Sequence, residues 1–182
     1  MNRLFAAVGV AALLAAAPAF AALKVGTTAP EFSAPAYQGG KPLTFDLAAS
    51  LKKGPVVLYF FPAAHTSGCN LEAHLFADAI DQFHAQGATV IGVTAGNIDQ
   101  LAAFSTETEH CSGKFPVASD PNAVIAKSYQ ATLAMRPGWS DRTSYVIAPS
   151  GKILLAYSDL SPTQHVAETL AAVKSWRAAH PS

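Results

Sequence analysis

The sequence predicts an α/β protein in which helices flank a central mixed β-sheet. The first observation is a continuous apolar run at residues 56–61, which is typical of a strand buried on both faces. The second is a helical pattern to about residue 86, followed by another apolar run at residues 88–94. Strand, helix and strand in this order predict a parallel β-α-β unit. The third is a late hairpin, in which residues 143–148 and 153–158 flank a Pro-Ser-Gly-Lys turn.

The other predicted elements extend this unit in both directions along the chain. We expect an extra β-hairpin near the N-terminus, formed by two short strands around a Gln-Gly-Gly-Lys loop. Asp120 and Pro121 supply an N-cap and a first-turn proline for a short helix, and a Ser-Pro-Thr-Gln capping box at residues 161–164 opens the last helix. The remaining predicted strands are residues 32–37, 42–45 and 115–118, and the remaining predicted helices are residues 97 to about 109, 121 to about 129, and 162 to about 179.

The predicted organisation is an export signal followed by one domain. Arg3 precedes an apolar stretch, and Ala19-Phe20-Ala21 has the small-x-small pattern of a signal cleavage site. We therefore expect a signal peptide at residues 1–21, a single domain at residues 22–182, and export, with the periplasm as the expected compartment. Because no cysteine lies at the cleavage point, we expect no stable membrane association once the signal is removed.

The charge balance gives no reason to expect nucleic acid or an anionic membrane as a partner. The whole chain has 12 Lys and Arg against 12 Asp and Glu, so its formal net charge is zero. Removal of residues 1–21 takes away Arg3 and no acidic residue, which changes the net charge from 0 to −1. A chain with this balance has no basic excess that would favour nucleic acid or an anionic membrane surface. Without a visible second interface, we expect a monomer.

Cys69 occupies the position at which α/β sheets most often bind ligands. It lies in the first turn of the helix that follows the buried strand at residues 56–61. Unpaired N–H groups and the helix dipole favour negative charge there, so the thiol is a candidate thiolate. Thr66 is placed to cap the helix or to turn its hydroxyl toward the sulfur, Gly68 allows close approach of another group, and Pro62 stiffens the entry. The alternative is a small buried cysteine that only packs.

The spacing Pro62-x-x-x-Thr66-x-x-Cys69 resembles the active-site signature of the peroxiredoxins. The surrounding segment, VVLYFFPAAHTSGCNLEAHLF, is most similar to the peroxiredoxin Q (bacterioferritin comigratory protein) branch, and the likeness extends from residue 23 to about residue 176. This resemblance implies a thioredoxin-like fold and a thiol-dependent peroxidase. Cys69 would be the peroxidatic cysteine, which attacks hydrogen peroxide or an organic hydroperoxide and becomes a sulfenic acid.

Arg142 is the cation that the resemblance places beside this sulfur. It opens the predicted strand at residues 143–148, and Arg-x-Ser-x-x-Ile followed by a Gly-Lys turn resembles the arginine-bearing strand of peroxiredoxins. The resemblance implies that its guanidinium holds the thiolate and hydrogen-bonds the peroxide. The alternative is a solvated loop arginine. For the attack we also expect the sulfur of Cys69 to be uncovered.

Cys111 is the candidate resolving cysteine by resemblance to relatives that resolve from the region after the second helix. Many members of this branch have a second cysteine five residues after the first, but His74 stands there in this chain. A helix of twelve residues from residue 97 would be about 18 Å long, so Cys111 would lie far from Cys69 in the reduced fold. Disulfide formation would then require local unfolding. The alternative is a one-cysteine mechanism with an external thiol.

The other polar residues give weaker predictions. Glu72 follows Cys69 by three positions, where either a supporting role or a simple first-turn acid is consistent with the pattern. We expect His65 to face solvent, and the remaining histidines show no ligand spacing, so we predict no metal site and no cofactor.

Two other functions are consistent with parts of the sequence. A thiol–disulfide oxidoreductase would need a second cysteine at residue 72, where this chain has Glu72. A non-catalytic binding module would contain Cys69 and Cys111 as a static disulfide. The peroxidase that we favour would be reduced by a thioredoxin-like or other thiol donor.

Overall fold

The computed structural model describes residues 22–181. The signal peptide predicted at residues 1–21 lies outside these residues. Within the described part, no helix combines the length and the apolar character needed to cross a membrane.

Seven strands form one mixed sheet, as the sequence predicts. The strands are β1 (Ser33–Gln38), β2 (Lys41–Asp46), β3 (Val56–Phe60), β4 (Thr89–Thr94), β5 (Val117–Ser119), β6 (Thr143–Ile147) and β7 (Ile153–Ser158). Their order is β2-β1-β5-β4-β3-β6-β7, in which β3, β4 and β5 are parallel to one another and the other neighbours are antiparallel. The N-terminal hairpin therefore extends one edge of the sheet, and the late hairpin extends the other.

Helices cover both faces of the sheet and bury two apolar clusters. They are α1 (Leu47–Leu51), α2 (Ser67–Ala85), α3 (Leu101–Thr106), α4 (Val124–Ser128) and α5 (His165–Ala179). One cluster contains residues of α2 and α5 such as Phe76 and Val173, and the other contains residues of α1 and α4 such as Leu47 and Ala126. Successive residues of β3 belong to alternate clusters and all five are buried. This strand is therefore the buried centre of the sheet, as its continuous apolar run predicts.

The segment after β4 differs from the predicted helix at residues 97 to about 109. A 3-10 turn at Ile98–Gln100 leads into α3, which ends at Thr106. The backbone of Glu107 is extended, with ψ 133°, and Ser112 is left-handed, with φ 53°. The prediction of one long helix was wrong because apolar spacing describes only its first half. The polar residues after Thr106 form a turn whose backbone bonds include Ser112 N–H to the Glu107 carbonyl, 3.0 Å.

Two other helix starts also differ from the local signals. Pro121 begins a 3-10 turn rather than an α-helix, because Asn122 and Ala123 are left-handed. Asp120 nevertheless caps α4, since its carboxylate accepts from Ile125 N–H at 2.9 Å and from Ala126 N–H at 2.8 Å.

The capping box at residues 161–164 does not open the last helix. The Ser161 hydroxyl pairs with that of Thr163, and α5 begins at His165 after an N-cap without a side-chain bond. Local capping therefore does not set the start of α5. The helix begins at His165, whose buried ring bonds the Ser144 hydroxyl and the Asp159 carbonyl.

Candidate active site

The turn between β3 and α2 places Cys69 as the third residue of the helix. Pro62 lies two residues after the end of β3, and its carbonyl accepts from the Thr94 hydroxyl at 3.1 Å, which anchors the turn to the end of β4. Thr66 is the N-cap residue but makes no side-chain cap bond, and its hydroxyl donates to the Ala63 carbonyl at 3.1 Å. The turn is therefore fixed by one bond to the end of β4 and one bond within the turn itself.

The guanidinium of Arg142 lies beside the sulfur of Cys69. Nη2 is 3.5 Å from Sγ, Nη1 is paired with Glu72 Oε2, and Nε donates to the Leu160 carbonyl at 2.8 Å. Arg142 is 5% exposed, so it is not a solvated loop arginine. Three bonds in three directions fix the plane of the guanidinium, and a single ammonium group could not reproduce them.

Gly68 permits this close approach. A Cβ atom at that position would lie 3.0 Å from Arg142 Nη2, which is closer than ordinary van der Waals contact. The absence of a side chain at Gly68 therefore lets the guanidinium pack over the first turn of α2 and reach the sulfur.

Glu72 is fully buried on the same helix face as Cys69. Burial raises the pKa of its carboxyl group above the ordinary value, and the Arg142 charge beside it counteracts part of that rise. The second oxygen, Oε1, makes no hydrogen bond and lies 3.6 Å from His165 Nδ1. A carboxylate that only compensated the helix dipole would lie in solvent, whereas Glu72 is buried and paired with Arg142. Glu72 therefore belongs to the buried polar group around Cys69.

His165, at the start of α5, completes the buried polar group and was not identified from sequence. Its Nε2 donates to the Asp159 carbonyl at 2.8 Å, so Nδ1 of the neutral ring accepts from the Ser144 hydroxyl, also at 2.8 Å. Burial lowers the pKa of His165 below the ordinary value. No sequence signal identifies this histidine, although Ser144 lies within the Arg-x-Ser motif that drew attention to Arg142.

Cys69 is covered, and the expectation of an exposed sulfur was wrong. The residue is 1% exposed and belongs to the apolar cluster that includes Tyr59, Phe61 and Phe76. Helix α2 turns the thiol toward the sheet, and the guanidinium of Arg142 packs on the adjacent Gly68. A peroxide must therefore enter through a small opening or displace part of this cover.

Cys111 lies in the turn after α3 and is also buried and unbonded. Burial raises the pKa of its thiol above the ordinary value, and the Glu107 carboxylate adds to the rise. Around it, Gly113 N–H donates to the Ser105 carbonyl at 2.8 Å, and Lys114 Nζ donates to the Ala77 carbonyl at 3.0 Å. Such a thiol is a poor nucleophile until this turn opens.

Comparisons with known proteins agree with this arrangement. Residues 25–156 match the model of the AhpC/TSA family. The chain is 29% identical over 157 residues to chloroplastic peroxiredoxin Q of Sedum lineare, covering 86% of this chain and 81% of that protein. It is 31% identical to chloroplastic peroxiredoxin Q of Arabidopsis thaliana, covering 86% of this chain and 69% of that protein.

Solved structures show the same fold. The crystal structure of peroxidoxin BcpB from Mycobacterium tuberculosis is similar with a TM-score of 0.72 at 29% identity, covering 84% of this chain and 97% of that one. The reduced 2-Cys peroxiredoxin of Plasmodium vivax has a TM-score of 0.75 at 22% identity, covering 87% of this chain and 99% of that one. The latter comparison concerns the fold alone. Together with the family match over most of the described residues, these relatives show that the chain belongs to the AhpC/TSA family, in its peroxiredoxin Q branch, and is a thiol-dependent peroxidase.

Proposed function

We propose that Cys69 is the peroxidatic cysteine of this peroxidase. Its thiolate attacks the distal oxygen of the peroxide, a sulfur–oxygen bond forms as the oxygen–oxygen bond breaks, and the sulfur becomes a sulfenic acid. The electron pair of the broken bond leaves on the other oxygen, which takes a proton and departs as water or an alcohol. The observation that carries this proposal is the guanidinium of Arg142 at 3.5 Å from Sγ.

Ionisation of the thiol supplies only part of the acceleration. A free thiol is roughly 3% ionised at pH 7, so complete ionisation gains about thirty-fold, or ~2 kcal/mol. The rest must come from orientation of the peroxide and from donors to the leaving oxygen. In the proposed mechanism these donors are Arg142 and the Cys69 backbone N–H, while the Thr66 hydroxyl binds the peroxide and Pro62 holds the turn.

Glu72 acts through Arg142 and not on the peroxide. Its carboxylate and the Leu160 carbonyl bind two sides of the guanidinium, which leaves Nη2 directed at the sulfur. This makes Glu72 a positioning residue. Its replacement should lower the rate of peroxide attack without abolishing it.

We propose further that Cys111 resolves the sulfenic acid. Attack of the Cys111 thiolate would form a disulfide with Cys69 as the sulfur–oxygen bond breaks, and the leaving hydroxide would take a proton to become water. A thioredoxin-like donor of the kind that peroxiredoxins use would reduce the disulfide. Both thiols are buried and unbonded, so this step requires the turn after α3 to open. The one-cysteine alternative would leave Cys111 reduced throughout turnover.

Stopped-flow mixing with peroxide tests the two roles separately. Cys69→Ser should abolish rapid consumption of peroxide, whereas Cys111→Ser should leave the first turnover unchanged. Mass spectrometry after one equivalent of peroxide should then find a disulfide in the unsubstituted protein and a sulfenic acid in Cys111→Ser. A persistent sulfenic acid in the protein with both cysteines would remove Cys111 from the mechanism. A fast reaction in Cys69→Ser would remove Cys69.

We also infer that the protein is exported to the periplasm, with residues 1–21 as the signal and residues 22–182 as one monomeric domain. The small-x-small pattern at Ala19-Phe20-Ala21 and the basic Arg3 support the signal. N-terminal sequencing of the protein recovered from a periplasmic fraction should begin at Ala22. Recovery of the chain with an intact N-terminus from the cytoplasm would contradict the proposal, and a dimeric mass in solution would contradict the monomer.

A further inference from the structure

Three potential metal ligands meet beside the peroxidatic turn. His65 belongs to the Pro62–Cys69 turn, whereas Glu107 and His110 follow α3, and one ligand atom from each lies within 4.8 Å of the other two. His65 Nε2 is 3.2 Å from Glu107 Oε2, and His110 Nδ1 is 2.7 Å from the same oxygen. The two histidines show no ligand spacing in the sequence because they come from segments that are far apart along the chain.

The ring of His65 lies between two side-chain oxygens, and one of them belongs to a carboxylate. Its Nδ1 is 2.8 Å from Gln100 Oε1, an oxygen that only accepts, so Nδ1 bears the hydrogen. In the neutral ring, Nε2 is then an acceptor that faces another acceptor, Glu107 Oε2, at 3.2 Å. Either a second ring proton or a metal ion between the two atoms makes this contact favourable, and only the metal ion can also bind a third ligand. The hydrogen bond from Nδ1 to an outer oxygen is also the arrangement that orients metal-binding histidines.

His110 supplies a second observation on the same Glu107 oxygen. Its side chain is 7% exposed, and although Nδ1 lies close to Glu107 Oε2, it makes no hydrogen bond of normal geometry. The ring stacks on Phe104 with centroids 4.9 Å apart, which fixes its orientation. A buried polar atom without an aligned partner is costly unless a ligand satisfies it.

We propose that His65, Glu107 and His110 bind a divalent transition metal ion of the zinc type. Two imidazoles and one carboxylate form an established zinc ligand set that leaves a fourth position for water. At bond lengths of about 2.1 Å, tetrahedral ligands lie roughly 3.4 Å apart, so the separations of 3.2 Å and 2.7 Å from Glu107 Oε2 need to lengthen by about 0.2 Å and 0.7 Å. The partial exposure of His65 and Glu107 gives an ion and its water access from solvent. Mixed nitrogen and oxygen ligands disfavour Mg²⁺ and Ca²⁺, which prefer oxygen alone.

A bound ion would join the turn that carries Cys69 to the turn that carries Cys111. It would hold the segment at residues 107–114 in its folded position and so slow its opening. The effect on disulfide formation rests on the resolving role proposed for Cys111. Metal binding itself does not depend on the role of Cys111, so it is measured in a protein that lacks both thiols.

The test uses Co²⁺, whose visible absorption reports coordination, and calorimetry with Zn²⁺, both in the Cys69→Ser/Cys111→Ser protein. We expect one ion per chain, and we expect the Co²⁺ protein to show the visible absorption of a four-coordinate ion. Affinity should fall about tenfold or more in Glu107→Gln and in His110→Gln, because each removes one ligand. His74→Gln is the matched control, since His74 and Asp78 form a partly exposed pair with no third ligand among the described residues, and it should bind as the parent does.

Two results would overturn the metal site. One is the absence of binding by the parent protein, and the other is unchanged affinity in Glu107→Gln, a substitution at an exposed position that leaves the core intact. Hydrogen exchange adds a readout independent of peroxidase activity: Zn²⁺ should slow exchange at residues 107–114 in the parent but not in Glu107→Gln. Equal exchange with and without Zn²⁺ in the parent would also contradict the proposal.

Discussion

Removal of the Arg142 guanidinium is the sharpest test of the proposed chemistry. Arg142→Met alone would leave the buried Glu72 carboxylate without its partner, which typically costs about 3–5 kcal/mol of stability. The informative protein is therefore Arg142→Met/Glu72→Gln, compared with Glu72→Gln alone. The two differ only in whether residue 142 carries a guanidinium, so the ratio of their rates isolates its effect on Cys69.

The expected size of that ratio follows from the 3.5 Å contact between Nη2 and Sγ. At this distance and an effective dielectric constant of about 20, the attraction between a guanidinium and a thiolate is about 5 kcal/mol. Removal of one donor to developing charge typically costs about 2.7–4 kcal/mol. We therefore expect the rate constant for peroxide attack to fall about a hundred- to a thousandfold.

Stopped-flow measurement of the first turnover, under excess peroxide, gives this rate constant directly. Circular dichroism of both proteins checks that the fold is retained. Arg142→Lys is a further control for charge, because it keeps a cation but cannot bond Glu72, Leu160 and Cys69 together; we expect it to recover only part of the loss. A double variant that reacts within about threefold of Glu72→Gln would refute the role of Arg142.

Other contacts around the site lead to further measurable expectations. Gly68→Ala places a Cβ 3.0 Å from Arg142 Nη2, so the guanidinium must shift; we expect about tenfold slower peroxide attack with an intact fold, and an unchanged rate would contradict this. The Tyr59 hydroxyl is buried without a hydrogen-bond partner, so Tyr59→Phe should raise the free energy of unfolding in urea by about 1 kcal/mol, whereas a decrease would reveal a partner. Burial lowers the pKa of His165, so the unfolded chain takes up a proton below about pH 6.5 while the folded protein stays neutral. The free energy of unfolding should therefore fall as pH drops from 6.5 toward the lowered pKa, by at most about 1.4 kcal/mol per pH unit. His165→Gln should remove this component, and His74→Gln, at a partly exposed position, should retain it; equal slopes in the two variants would contradict the assignment.

The fold was predictable wherever local pattern and tertiary environment agree. The apolar run at β3 and the helical stripe of α2 correctly indicated a central strand and a covering helix, because each is buried along its whole length. The helix starting near residue 97 was predicted too long, and the capping box at residues 161–164 was assigned to the wrong turn. Glu107, just after the first of these helices, contacts His65, and His165, just after the capping box, bonds Ser144; local capping or periodicity carries no information about such distant contacts.

The sequence by itself determined where the reactive groups stand along the chain. A cysteine in the first turn of a helix after a buried strand, and an arginine at the start of a later strand, are both set by local order. The tertiary structure alone decided what surrounds them. Packing of α5 against α2 and β6 buries Glu72 and His165 together, and the bare surface of Gly68 lets Arg142 cover Cys69. The choice of a hydrogen-bond partner and the cost of burying a charge depend on atoms contributed by distant segments, and no residue pattern within one segment specifies those atoms.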